Sequence, residues 1–271
     1  MINNMIDALV LDFETKDPFL GLKMGSGWVY TRGNHFKVLG MAVIEPNGKQ
    51  RYIKTKQSII NCLNKYDTYI VFNANYDIGI VHRLGVDLSN KTIIDVEIMA
   101  KMNNSTEERH NLNHLSKKYL GSYKSDAPLG EVARELGLVK SSTQSAIGVA
   151  KENMDKIQEA NPELVAEYAI QDVVLTQELY ELFKEVDGYD IEFYSDLIKA
   201  LIQARAKGVT IDLIQLLKLD AEFQIKIMDA QLHLNKMNGG NPVNSSSPQD
   251  VPQFLIANGH NLEMNEKGNG S

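Results

Sequence analysis

The run Ala8-Leu9-Val10-Leu11 passes directly into Asp12-Phe13-Glu14-Thr15. Four successive apolar residues read as a strand buried on both faces. Side chains alternate along a strand, so Asp12 and Glu14, two residues apart, point the same way. Like charges at the edge of a core repel, and desolvation adds to that cost. A cation between them resolves the conflict, and a divalent metal is the simplest one. The bland alternative is a strand that ends in a polar, solvated loop. Asp-x-Glu by itself is compatible with both readings.

The rest of the chain reads as an α/β protein. Residues 38–45 form a second strand, Pro46-Asn47-Gly48 a turn, and Gln50 to Ile53 a third strand, an antiparallel meander with the first. Ser58 to Tyr66 has a short helical pattern. Thr68 to Phe72 is a fourth strand, followed by Asn73-Ala74-Asn75-Tyr76-Asp77 and a helix closed by Gly85. Thr92 to Asp95 is a fifth strand, with Asp95 read as a helix N-cap. Residues 111–120 have helical spacing up to Gly121, and 122–150 mix loop and short helices. Asn161-Pro162 opens a long helix reaching Val186. Strands followed by packed helices, antiparallel at first and parallel later, imply a five-stranded α/β sheet.

Composition shifts near Asp187-Gly188, which divides the chain into residues 1–187 and a helical segment, 188–271. That segment carries helices over 190–207 and 213–237, a Gly- and Ser-rich break, and a short helix over 249–257. Leu213, Leu216, Leu217, Phe223 and Ile227 give the second helix more apolar surface than its neighbour can cover, so a continuation of the chain or another subunit is expected to dock there.

A net charge of −7 argues against a protein that grips duplex DNA over its whole surface. It leaves room for a site that meets a strand end through metal ions. A single cysteine, Cys62, and the absence of a secretion signal or a membrane-length apolar run fit a cytoplasmic protein. His110 and His114 are four apart but have no third partner for a zinc site.

Tyr168 and Asp172 lie one helical turn apart on one face, so a phenol and a carboxylate project together toward the sheet. A core tyrosine beside a solvated aspartate is the plainer reading of that pair. The ordered set is more specific than any member. Asp12-Phe13-Glu14-Thr15, then Asn73-Ala74-Asn75-Tyr76-Asp77, then Tyr168 to Asp172 resembles the three motifs of the DEDD exonuclease superfamily, in its tyrosine branch. Residues 188–271 resemble the start of the thumb of family A DNA polymerases. Gly208 to Asp212 is similar to the thumb's opening segment, and Asn244 to Gln249 with Phe254-Leu255 to its tip. The Gly25-Ser26-Gly27-Trp28 loop is similar to bacteriophage members, which would place the protein in host cytoplasm.

The resemblance implies a ribonuclease H-like fold and a proofreading 3′→5′ exonuclease acting on the 3′ end of single-stranded DNA. It implies two divalent ions, Mg²⁺ or Mn²⁺. Asp12 would bridge both, Glu14 and Asp172 would complete the first, and Asp77 would hold the second directly or through water. Tyr168 would orient the attacking water; with an ordinary pKa of about 10 it is a poor base. Thr15 and Asn73 occupy positions that lie against the terminal nucleotide. Phe19 and Leu20 are candidates for a wedge between the last two bases, although Pro18 departs from the related pattern. Lys117, Lys118 and Lys124 read as solvated lysines, with backbone phosphates as the alternative use. The polymerase carboxylates are missing, so a polymerase half or subunit would join through 188–271. Two rivals are an RNA-trimming exonuclease of the same branch and a non-catalytic module that docks a polymerase subunit.

Overall fold

A computed structural model describes residues 7–17 and 36–262. The Gly25–Trp28 loop and the Pro18, Phe19 and Leu20 positions lie outside the described residues. The sheet has five strands in the order β3-β2-β1-β4-β5: β1 Ala8–Lys16, β2 Lys37–Ile44, β3 Gln50–Ile53, β4 Thr68–Val71 and β5 Thr92–Asp95. β2 runs antiparallel to β1 and β3, while β1, β4 and β5 are parallel. This is the mixed, ribonuclease H-like α/β sheet expected, with β1 at its centre.

Eleven helices are described: α1 Lys56–Leu63, α2 Ala74–Arg83, α3 Val96–Asn103, α4 Leu112–Leu115, α5 Ala127–Glu135, α6 Ala146–Glu152, α7 Met154–Ala160, α8 Pro162–Phe183, α9 Ile191–Lys207, α10 Leu213–Met237 and α11 Asp250–Ala257. The helix expected over 111–120 is α4 continued by a π-helical stretch, Ser116–Leu120, which ends at Gly121 in the left-handed region (φ 69°). Glycine adopts that conformation without steric cost.

Two hydrophobic cores lie on opposite faces of the sheet. Leu9, Leu11 and Phe13 join Ile59, Ile78, Val81 and Ile198 in one. Ala8 and Val10 join Met99, Ala169, Val173 and Phe183 in the other. The alternation along β1 therefore sorts its odd residues toward α1, α2 and α9 and its even ones toward α3 and α8. A third cluster, with Leu129, Ala150, Ile157 and Val165, ties α5, α6 and α7 to α8.

The chain divides into two compact units, 1–208 and 209–271. This differs from the division expected near 187/188. The reason is β5, an edge strand whose backbone donors need partners. Asp95 donates its N–H to the Tyr189 hydroxyl at 3.0 Å, and Ile93 donates its N–H to Ser195 Oγ at 3.0 Å. Residues 189–207 are thus built onto the first unit. Within the second, Gln231 and Asn235 near the end of α10 bind the Val243 backbone. Among the described residues no helix is long and apolar enough to cross a membrane.

Candidate active site

The parity of β1 sets the site. Asp12 and Glu14 continue the even-numbered series of Ala8 and Val10 and so face α8. The β1–β2 register shifts between Glu14 and Thr15. Such a bulge re-aims the side chains that follow it. Thr15 here meets the Tyr76 hydroxyl at 2.6 Å, and Tyr76 also donates to Asp17 Oδ2 at 3.2 Å.

The long helix α8 starts where Asn161 accepts the Leu164 N–H at 3.1 Å, with Pro162 in its first turn. Tyr168 and Asp172 lie on its buried face, 8% and 6% exposed. Carboxylate oxygens of Asp12, Glu14 and Asp172 all fall within 4.8 Å of one another. At an effective dielectric of about 20, each such pair repels by roughly 3–4 kcal/mol when both are ionised. Burial, then the Asp172 charge, raises the Asp12 carboxyl to about 8. Glu14 is pushed well above its usual range by burial, then by Asp12 and Asp172. Burial also raises Asp172, although Lys124 opposes the shift.

Asp77 sits apart from this trio but lines the same cleft. The β1–β4 ladder stops at Val10–Ile70, and beyond it Asp77 Oδ1 accepts the Phe13 N–H at 3.1 Å. Asn73, just before α2, holds a left-handed backbone (φ 67°) without capping through its side chain. The capping falls to Asp95, which accepts from the Asn73, Ala74 and Glu97 N–H groups. One carboxylate thereby serves the N-termini of both α2 and α3, and burial holds it at about 6.

Three further residues belong to the site. Lys124, expected as solvated, is buried: its ammonium donates to Asp172 Oδ2 and lies 3.7 Å from the centre of the Tyr168 ring. Lys118 instead pairs with Glu107, and Lys117 lies over the Tyr123 ring. His114 likewise binds Glu107, and among the described residues it belongs to no metal-like cluster. Tyr52 crosses above Gly40 and donates to Gln158 Oε1 at 2.7 Å. Glu14 and then Asp12 add to the burial that raises its phenol, which places Tyr52 beside the acids. Lys151 lines the cleft and pairs with Asp126 at 3.0 Å. Only the run of lysines hinted at Lys124; no periodic pattern pointed to Tyr52 or Lys151.

Asp12, Glu14, Asp77, Lys124, Lys151, Tyr168 and Asp172 line an open cleft of about 790 Å³ at the carboxyl ends of β1 and β4, with Thr15, Asn73, Tyr76, Arg109 and His110 on its walls. In open sheets with parallel strands that end is where ligands bind. A model of the 3′-5′ exonuclease family, of the DNA polymerase A type, matches residues 41–186, more than half of the chain. The chain belongs to this 3′-5′ exonuclease family. The matched stretch holds Asp77, Tyr168 and Asp172, and the geometry adds Asp12 and Glu14 from the strand before it. The exonuclease fold also occurs in a nuclease solved in its apo form, 18% identical with a TM-score of 0.50, the match covering 75% of this chain and 84% of that one. The POL domain of Pol1 from M. smegmatis, in complex with DNA primer-template and dNTP, is 17% identical (TM-score 0.49). That match covers 87% of this chain and only 37% of the polymerase chain. NrnC of Brucella melitensis is 16% identical (TM-score 0.47; 76% and 86% covered). A comparison with curated proteins finds no match.

The carboxylate trio suits a hard divalent cation, which prefers oxygen ligands. Asp172 Oδ1 is buried and has no hydrogen-bond partner among the described residues. A buried acceptor without a partner is costly, and a cation between the three carboxylates would satisfy it and relieve their repulsion.

Proposed function

We propose that this chain hydrolyses single-stranded DNA from its 3′ end, releases 5′-mononucleotides and serves as the proofreading module of a phage-type family A DNA polymerase. The observation that carries this reading is the convergence of Asp172, on α8, with Asp12 and Glu14, on β1, to within 4.8 Å. Asp12, Glu14 and Asp172 would hold one divalent ion, and Asp77, which lines the same cleft, would help hold a second together with Asp12, directly or through water. Mg²⁺ or Mn²⁺ bound there supplies charge neutralisation at the phosphate and lowers the pKa of a bound water.

The remaining work falls to the chain's own side chains. Tyr168 orients the attacking water: burial, then Asp172, then Glu14 push its phenol above the ordinary range, so it keeps its proton at neutral pH. A protonated phenol can donate or accept a hydrogen bond, which suits positioning of the water over proton abstraction. Thr15 and Asn73 line the cleft where the terminal nucleotide would rest. The helical residues from 188 onward, with their thumb-like Gly208–Asp212 and Asn244–Gln249 segments, join the exonuclease to a polymerase half.

The test is digestion of a 5′-labelled single-stranded DNA, and of RNA of the same sequence, with Mg²⁺, Mn²⁺ or chelator, for the wild type and Asp12→Ala. The expected result is a DNA ladder shortening from the 3′ end that vanishes with chelator and in the variant. Preferential shortening of RNA would replace the proofreading reading with RNA trimming. No cleavage of either strand by folded protein would overturn the exonuclease reading.

A further inference from the structure

We propose that Lys124 is a counter-cation built into the carboxylate trio: it holds Asp172 when no metal is bound and competes with the metal for that carboxylate. The inference rests on the metal-dependent reading above. The Lys124 ammonium donates to Asp172 Oδ2 and sits over the Tyr168 ring at 3.7 Å, with the side chain 8% exposed. A buried ammonium is tolerated only when paired. Among the described residues it is the cation that hydrogen-bonds to the trio. Lys124 precedes α5, in a stretch without regular structure, and has a flexible four-carbon stem. No rigid element therefore fixes its head group.

The division of Asp172 gives the pairing its direction. Lys124 takes Oδ2, while Oδ1 is buried and has no partner among the described residues. Lysine half-satisfies the carboxylate and leaves one oxygen for another positive ligand. An ammonium and a divalent ion sharing one carboxylate repel each other. Metal uptake is therefore opposed by Lys124, and the cation–π contact with the Tyr168 ring adds to what holds the ammonium in place. A lysine that only bound substrate phosphate would need no buried carboxylate partner. A purely structural ion pair would leave no neighbouring acceptor open.

The test compares wild type, Lys124→Met and Lys124→Arg by thermal unfolding in chelator at pH 8 and by Mn²⁺ binding followed through the paramagnetic resonance of free Mn²⁺. The Met variant should melt several degrees lower in chelator, recover that loss in saturating Mn²⁺, and bind Mn²⁺ about fivefold or more tightly. The Arg variant, which keeps the cation, should stay near the wild type in both. A Met variant that melts like the wild type in chelator, or binds Mn²⁺ equally or more weakly, overturns the proposal. If the Met variant is unfolded in chelator, folding upon Mn²⁺ addition supports the proposal, and failure to fold in both overturns it. Wild-type protein that binds no Mn²⁺ would sink the metal-dependent reading itself. Normal wild-type binding with an indifferent Met variant would sink only the role of Lys124.

Discussion

Asp77 Oδ1 accepts the backbone N–H of Phe13 at 3.1 Å, which clips a helix-borne carboxylate to the strand between Asp12 and Glu14. The bond gives Asp77 a structural role beside the metal-holding role proposed for it, and the two can be separated. Asp77→Asn retains an oxygen that can accept from Phe13 but loses the charge. It should melt within about 2 °C of the wild type while exonuclease turnover falls by about 10² or more. Asp77→Ala leaves a buried donor unsatisfied and should cost about 1–3 kcal/mol of stability as well. Urea unfolding beside turnover on labelled DNA checks both. Equal destabilisation by Asn and Ala would show that the Phe13 bond contributes nothing.

Protonation of the carboxylate trio links pH to metal binding and to stability with opposite signs. Asp12 titrates at about 8 when folded, against an ordinary value of 3.8. Between those limits the folded protein holds a proton that the unfolded chain has lost, so stability in chelator should fall as pH rises from about 4 to about 8. Metal ligands bind deprotonated, so apparent Mg²⁺ affinity should rise as pH passes through about 8. Melting curves with chelator and with saturating Mg²⁺ should therefore diverge as pH increases. Parallel curves would show that the trio ionises freely without metal.

Tyr168 keeps its proton well beyond neutral pH. Tyr168→Phe should therefore lower kcat about 10- to 100-fold without reshaping the pH profile between 6 and 9. Mn²⁺ affinity should stay within about twofold, since the proposed metal ligands are all carboxylates. Loss of an alkaline or neutral limb in the Phe variant would identify the phenol as a proton acceptor instead.

How much was legible in the sequence depends on the range of the interaction. The parity of Ala8 to Glu14 and the one-turn spacing of Tyr168 and Asp172 are local periodicities, so the faces they occupy can be read without a structure. The sheet's antiparallel-then-parallel order follows from short turns and intervening helices, and it matches what is observed. Asp95 reads as a cap because capping is also local, although its second service to α2 is not. Lys124 meets Asp172 across 48 residues. Its own neighbourhood has no periodicity, so only the fold could bury it. The place where the first unit closes was obscured for a similar reason. The donors of β5 are met by Tyr189 and Ser195, past the composition shift at Asp187-Gly188.

Gly40 lies opposite Glu14 in the β1–β2 ladder, and its missing side chain makes room for Tyr52. A Cβ there would lie 2.3 Å from the Tyr52 Cζ and 2.4 Å from its hydroxyl oxygen. The ring cannot easily step aside: its hydroxyl donates to Gln158 of α7, and Gln158 in turn donates to the Leu39 carbonyl at 3.3 Å. Gly40→Ala should therefore push the ring and α7 away from β1 and cost about 1–3 kcal/mol, the usual range for overpacking. Turnover should fall too, because the displaced ring borders Glu14. Tyr52→Ala removes the obstacle at its own cost in lost packing. The double variant Gly40→Ala/Tyr52→Ala should then be less destabilised than the sum of the singles by about 1–2 kcal/mol. Urea unfolding of all four proteins measures that coupling. Strict additivity would mean that Tyr52 does not occupy the space above Gly40 in solution and that Glu14 owes its burial to another neighbour.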